Sequence, residues 1–366
     1  MTAVRPVSVV VIGTGLIGTS VALALREQDI AVWLSDRDAD AVRLAADIGA
    51  GQPLPGGEVP GGRADVAVLA VPPAAVAPEL RAAQARALAS CYTDVASVKE
   101  LPLAAARELG CDLASYVPGH PLSGRERSGP AAARADLFVG RPWVICAQPD
   151  NDEQAIALVT GLSEACGGQP VSVSAAEHDQ WVALVSHAPH VVAAAMAARL
   201  EHAPASALAL AGQGLRDVTR IAASGADMWL QILAANAGPA SAVLGEVAAE
   251  LAQVAVALES LAAGDDQAAK HLAELLERGI AGVARIPGKH GRPARGFTTV
   301  QVVIPDRPGE LARLFRVAGE AGVNIEDVSI EHSPGLPVGV AELLVRPEAA
   351  SRLSGVLAAG GWPVRR

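Results

Sequence analysis

The chain has 366 residues, enough for two or three domains rather than one core, and 51% of them are hydrophobic, so several cores can be buried. A net charge of −10 and a pI near 5.3, with no basic tract, exclude nucleic acid as the expected partner, because phosphate binding needs a basic footprint. Cys91, Cys111, Cys146 and Cys166 form no CxxC pair and have no histidine at ligand spacing, so the reduced thiols of a cytoplasmic protein are expected.

Residues 7–12 are a continuous apolar run of strand length, which suits a strand buried on both faces. The run passes straight into a glycine turn, unlike a signal peptide. A helix is predicted over 20–27, a strand over 31–35, a Gly/Pro-rich loop over 49–62, and strands over 66–71, 92–95, 115–117 and 143–146. A helix over 151–166 and a short strand over 171–173 complete an alternating pattern, which predicts an α/β fold with an open, mostly parallel sheet in residues 1–174.

From about residue 177 the strand signal disappears, and long Ala/Leu/Val stretches define an all-α domain over 175–284. Its apolar content is high for a free-standing bundle, so part of that surface is expected to meet a second copy, giving a homodimer. The most apolar stretch, 181–200, holds two histidines and Pro189, so no membrane span is expected. Residues 285–296, rich in Pro, Gly and Arg, read as a linker. Residues 297–366 read βαββαβ, with strands at 298–304, 325–332, 340–345 and 362–365 and helices at 309–322 and 349–360; that order is ferredoxin-like.

Gly13-Thr14-Gly15-Leu16-Ile17-Gly18 follows the first strand and opens a helix, the context a dinucleotide site requires. Gly13 permits the tight turn, Gly15 lets the backbone approach a pyrophosphate, and Gly18 permits close helix–strand packing. The pyrophosphate would lie on the helix N-terminus, whose free N–H groups favour an anion. Asp36, at the end of the second strand, is placed to accept hydrogen bonds from a ribose 2′-hydroxyl. A carboxylate there repels a 2′-phosphate, so NAD is expected over NADP, with Arg37 blunting the preference. These features give the sheet domain a Rossmann-type, doubly wound reading.

Four further fragments carry chemistry. His120, in Gly119-His120-Pro121, follows a predicted strand near the carboxyl edge of the sheet, where open α/β folds bind ligands. Ser97, just after the preceding strand, is within plausible reach of the His120 ring. His187 and His190 lie three apart on one helix, near one face. Arg216 and Arg220 lie four apart, a cationic stripe suited to bidentate carboxylate binding. Blander readings exist for each: a satisfied core histidine, helix-surface ion pairs with Asp217 or Asp227, or a zinc set. Zinc is disfavoured because the histidine spacing is not i, i+4 and no cysteine or carboxylate cluster accompanies it, so no metal is expected.

Taken in order, GTGLIGTSVALAL, DVASVK, GHPLSGRERSG with LFVGRPW, HDQWVALVSHAPH and GLRDVTRIAASGADMWLQILAAN resemble the prephenate/arogenate dehydrogenases of tyrosine biosynthesis. Leu122-Ser123 and Ala188 depart mildly from that family's pattern and remove no polar group the chemistry needs. The resemblance implies NAD-dependent oxidative decarboxylation of a cyclohexadienol, prephenate in preference to arogenate. It implies His120 as acceptor for the substrate hydroxyl, assisted by Ser97, and Arg220 as ligand of a substrate carboxylate. Arg216 would support Arg220, His190 would contact substrate from the helical domain, and His187 would be structural.

Asp306-Arg307-Pro308-Gly309, followed by Gly322-Val323-Asn324, resembles an ACT module, which implies a small effector held near Asp306, Gly309 and Asn324. Family logic makes that effector tyrosine; a ligand-free dimerisation module is the alternative. Two rivals to the whole reading remain. A 3-hydroxyacid dehydrogenase of similar architecture would need a lysine in the first inter-domain helix, and no lysine lies between Lys99 and Lys270. A non-catalytic NAD and amino-acid sensor would not need His120, Ser97 and Arg220 to converge.

Overall fold

The computed structural model describes residues 3–123, 129–286, 296–332 and 337–365. They divide into two compact units, 1–248 and 249–366.

The first unit begins with β1 (Ser8–Ile12), α1 (Leu16–Arg26), β2 (Ala31–Ser35), α2 (Ala39–Asp47), β3 (Gln52–Pro53), β4 (Ala64–Leu69), α3 (Pro73–Ala85) and β5 (Ala89–Asp94). These five strands form one parallel sheet in the order β3-β2-β1-β4-β5. Successive residues of β1 face opposite sides, as the strand period of two demands. Val9 and Val11 enter a core with Val21 and Leu25 of α1, whereas Val10 and Ile12 enter a second core with Val76 and Leu80 of α3. Burying each such side chain contributes about 1.5–3 kcal/mol, which is why a strand buried on both faces shows an unbroken apolar run.

The chain continues through α4 (Glu100–Glu108), β6 (Gly119–Pro121), β7 (Pro142–Ile145), α5 (Glu153–Ala165) and β8 (Gln169–Ser172). Here β6 pairs antiparallel with β7, and β7 pairs parallel with β8. The strand expected at 115–117 is reduced to a single bridge, Tyr92 to Tyr116; the strand proper is β6, which contains His120 rather than preceding it. Helix α1 starts at Leu16, earlier than the apolar pattern suggested, because Gly15 serves as its N-cap.

The chain continues through α6 (Ala175–Val182), α7 (Ala188–Ala198), α8 (Ala205–Leu208), α9 (Gln213–Thr219) and α10 (Ala226–Ala235). A capping box starts α6, with Ser174 Oγ accepting from Glu177 N–H and the Glu177 carboxylate accepting from Ser174 N–H. Between α6 and α7 the helix widens into a π turn over Ala183–His187. Pro189 has no N–H to give the Val185 carbonyl, and the wider turn immediately before it absorbs that loss. Arg220 lies beyond the end of α9, in a short 3₁₀ turn over Arg220–Ala223, so the stripe expected on one helix is split between two elements.

The division between units falls inside α11 (Ala237–Ala262), not at the linker expected over 285–296, of which 287–295 lie outside the described residues. Helix α11 buries only Ala240 among its described side chains. Leu251 and Val256 of α11, and Leu276, Ile280 and Val283 of α12 (Ala268–Val283), are all exposed in the isolated chain. Two helices, Ala175–Ala198 and Ala237–Ala262, are long and apolar enough to cross a membrane. The first carries the histidine cluster described below, which a lipid-facing helix would not hold.

The second unit ends in β9 (Thr298–Pro305), α13 (Glu310–Glu320), β10 (Asp327–His332), β11 (Val338–Val345), α14 (Pro347–Ala359) and β12 (Val364–Arg365). They build an antiparallel sheet in the order β10-β11-β9-β12. Val300, Val302 and Ile304 of β9 pack with Leu314 of α13 and Leu353 and Leu357 of α14, forming a separate core.

Candidate active site

Gly13 has φ +101°, and a Cβ there would lie 2.2 Å from the Ala70 carbonyl oxygen; a Cβ on Gly18 would lie 1.9 Å from the Gly13 carbonyl oxygen. Both glycines are therefore fixed by packing. Gly15 differs: its Cβ would meet nothing within 4 Å, so the backbone opens onto free space at the N-terminus of α1. Leu16 and Ile17 form the first turn of that helix. Asp36, at the carboxyl end of β2, accepts from Thr14 N–H at 2.6 Å and Thr14 Oγ at 3.1 Å, while its other oxygen accepts from Asp38 N–H at 3.0 Å. The acidic residue thus also holds the glycine turn in place.

At the carboxyl end of β5, Asp94 pairs with Lys99, and both side chains are fully buried. Lys99 Nζ also donates to the Gly119 carbonyl at 2.6 Å, and Tyr116 Oη donates to Asp94 at 2.7 Å. This buried group ties β5 to β6 one residue before His120.

His120 Nδ1 lies 2.8 Å from His178 Nε2, and His178 Nδ1 lies 2.7 Å from Asp179 Oδ1. Asp179 Oδ1 also accepts from Lys99 N–H at 2.8 Å, and its Oδ2 accepts from Glu100 N–H at 2.9 Å, at the start of α4. His178 and Asp179 are buried. A carboxylate can only accept, so His178 Nδ1 carries a proton; neutral His178 then accepts at Nε2 from His120 Nδ1–H. His120 Nε2 is left as a lone pair. Burial first, then the electrostatic influence of the neighbouring His178, Lys99 and His187, hold the His120 imidazole well below its ordinary pKa and so neutral.

Ser97 is half-buried and makes no hydrogen bond to His120; the side chain bonded to the ring is His178. His178 and Asp179 were present only as part of a resembling motif, with no role attached. The signal that could have found them is the adjacent pair itself, a histidine and a carboxylate one turn inside a capped helix.

His187 is buried, and its Nδ1 accepts from Asn236 Nδ2 at 3.0 Å; the same amide donates to the Asp179 carbonyl at 2.7 Å. His190, also buried, stacks on Trp229 at 3.6 Å and 11°, and His187 meets the same indole edge-on at 6.1 Å. Desolvation lowers the pKa of both histidines. Arg216 and Arg220 are exposed and form no ion pair among the described residues, which removes the reading as surface salt bridges to Asp217 or Asp227. The turn bearing Arg220 packs against α7, the helix of His190.

In the second unit, Gly309 has φ +88° at the start of α13, and Asn324 donates to Glu326 at 2.7 Å. Asn324 lines a cavity of about 270 Å³ with Arg346 and Arg352, but Asp306 and Gly309 do not.

A nucleotide-type glycine cradle and a neutral, carboxylate-backed histidine in one sheet unit define a dehydrogenase class of site. Residues 21–172 match the model for the prephenate dehydrogenase nucleotide-binding domain, and 174–278 match that for the prephenate dehydrogenase dimerization domain. The chain is 40% identical to the probable prephenate dehydrogenase NovF of Streptomyces niveus, covering 97% of this chain and 98% of that one. It is 33% identical to a cyclohexadienyl dehydrogenase of Zymomonas mobilis over 69% of this chain and 88% of the relative. Among solved structures, prephenate dehydrogenase from A. aeolicus in complex with hydroxyphenyl propionate and NAD+ superposes with a TM-score of 0.64 at 25% identity, over 75% of this chain and 97% of that one. The chain belongs to the prephenate dehydrogenase family.

Proposed function

We propose that this chain is an NAD-dependent prephenate dehydrogenase that converts prephenate to 4-hydroxyphenylpyruvate and CO2. The observation that carries the proposal is the commitment of His120 Nδ1 to His178, which leaves Nε2 as a neutral acceptor beside the sheet edge. The open backbone at Gly15 and the carboxylate of Asp36 fit a dinucleotide with a free ribose 2′-hydroxyl, and the structural relative named above was solved with NAD+.

Bound NAD+ supplies the hydride acceptor. As the ring carbon bearing the hydroxyl loses hydride, the hydroxyl becomes more acidic, and His120 Nε2 accepts its hydrogen bond and then its proton. Loss of the ring carboxylate as CO2 aromatises the product, and His120 returns the proton to the ring oxygen, so no proton is consumed overall. Ser97, whose hydroxyl has no hydrogen bond among the described residues, assists at the same substrate group. Arg220 binds a substrate carboxylate with Arg216 behind it, both exposed and without an ion pair among the described residues. His190, held flat by Trp229, presents its ring to the substrate.

The exposed apolar faces of α11 and α12 pair with a second copy, making a homodimer. The C-terminal sheet unit acts as an ACT module for an amino-acid effector, tyrosine, near Asp306, Gly309 and Asn324; its βαββαβ order supports that reading. The test is NADH formation with prephenate and, separately, arogenate, each with and without tyrosine. Turnover of prephenate alone is expected, reduced by tyrosine; turnover of arogenate alone would move the substrate assignment to the amino acid.

A further inference from the structure

His120 is asked to take a proton while burial and three neighbouring groups oppose a charge on it. Lys99, from the loop between β5 and α4, is cationic and fully buried; His178, on α6, and His187, in the π turn, add to the same effect. A base so placed accepts a hydrogen bond readily but is a poor place to leave a positive charge. Two carboxylates are bonded into this cluster, Asp94 to Lys99 and Asp179 to His178, and among the described residues neither is bonded to His120.

We propose that His178 is a positioning residue that also relays the proton: as the substrate hydroxyl gives its proton to His120 Nε2, His120 gives its Nδ1 proton to His178 Nε2. One O–H bond and one N–H bond break while two N–H bonds form. His120 ends neutral, in its other tautomer, and the charge rests on an imidazolium held against the Asp179 carboxylate. Asp179 in turn is fixed by Lys99 N–H and Glu100 N–H, so it cannot rotate away. When CO2 leaves and the ring aromatises, both protons run back and the ring oxygen recovers its hydrogen. The geometry is complete in the structure: 2.8 Å from ring to ring and 2.7 Å from ring to carboxylate, with both His178 and Asp179 buried and no competing partner at His178 Nε2 among the described residues. The inference rests on the proposed dehydrogenase activity and names what completes its base.

The separating variant is His178→Gln. Its amide oxygen can still accept from His120 Nδ1–H and so keeps the ring oriented, but it cannot accept a proton. The full-length protein, its His178→Gln and His178→Ala forms and Asp179→Asn would be compared in single-turnover NADH formation with prephenate, in mixtures of H2O and D2O. NAD binding and melting temperature would be followed on the same samples. The relay predicts that His178→Gln loses at least tenfold in the rate of the chemical step, about as much as His178→Ala, with KM for prephenate within about twofold. It also predicts a rate that depends on deuterium fraction with curvature in the wild type and linearly in His178→Gln. A His178→Gln rate within twofold of wild type, or a linear dependence in the wild type, overturns the relay and leaves His178 as an orienting group. Absence of wild-type turnover with both prephenate and arogenate, in protein that binds NAD, overturns the dehydrogenase proposal and the relay together.

Discussion

Lys99 donates to the carbonyl of Gly119 at 2.6 Å and forms its ion pair with Asp94, so a fully buried lysine holds the backbone immediately before His120. The single lysine of the first domain is therefore structural in its bonding yet adjacent to the chemistry. Removing one partner of a buried pair leaves an uncompensated charge, which typically destabilises by about 3–5 kcal/mol. Lys99→Met is expected to lower stability by about that amount, and Asp94→Asn/Lys99→Met to recover part of it. Chemical denaturation of the two variants and wild type checks this; equal stability of Lys99→Met and wild type would contradict it.

The glycines of the nucleotide turn should separate by experiment. Gly13→Ala combines a positive φ with a 2.2 Å approach to Ala70, so it should melt well below wild type. A Cβ on Gly15 meets no protein atom within 4 Å, so Gly15→Val should melt close to wild type while NAD affinity falls at least tenfold. Thermal melts beside NAD titrations distinguish the two.

Stability should fall with acid because of the histidine cluster. The pKa of His120 is held well below 6.5, and those of His187 and His190 are also lowered. The unfolded chain then binds more protons than the folded one just below pH 6.5. The contribution of these groups is present above that pH and is lost as pH falls through it toward the folded values. Melting temperature should decline below pH 6.5, and less steeply in His120→Asn. In the same window the acidic limb of kcat/KM should lie below 6.5, since His120 stays neutral there.

Arg220→Ala should raise KM for prephenate at least tenfold with a smaller effect on kcat, as loss of ground-state binding does. Arg220→Lys should not restore it fully, because an ammonium cannot bind a carboxylate in bidentate fashion. Arg216→Ala should have a weaker effect. Initial rates over a range of prephenate concentrations decide, and an Arg220→Ala KM equal to wild type would remove Arg220 from the site.

The sheet domain was legible because its strands are apolar runs of fixed length and because Gly13, Gly15, Gly18 and Asp36 sit where strand and helix boundaries place them. His120 was legible as a residue but not in its setting. Its strand is three residues long and paired antiparallel to β7, too short for periodicity to register. The bond from His120 to His178 was not legible because that contact joins residues 58 apart in sequence, and no local pattern encodes such a meeting. The split of Arg216 from Arg220 followed from the end of α9 at Thr219, a boundary with no Gly or Pro to announce it. The histidine pair His187/His190 was visible as spacing, whereas Trp229 and Asn236, which contact the two rings, come from α10 and its C-cap, far along the chain.

The most direct test of the central claim is NADH formation from prephenate and NAD+ by the wild-type protein and its His120→Asn variant, with NAD binding measured on both. Turnover by the wild type, and a kcat lowered at least a hundredfold in His120→Asn with NAD affinity retained, is the result expected of a neutral histidine acting as base. Equal turnover by the two proteins would contradict it.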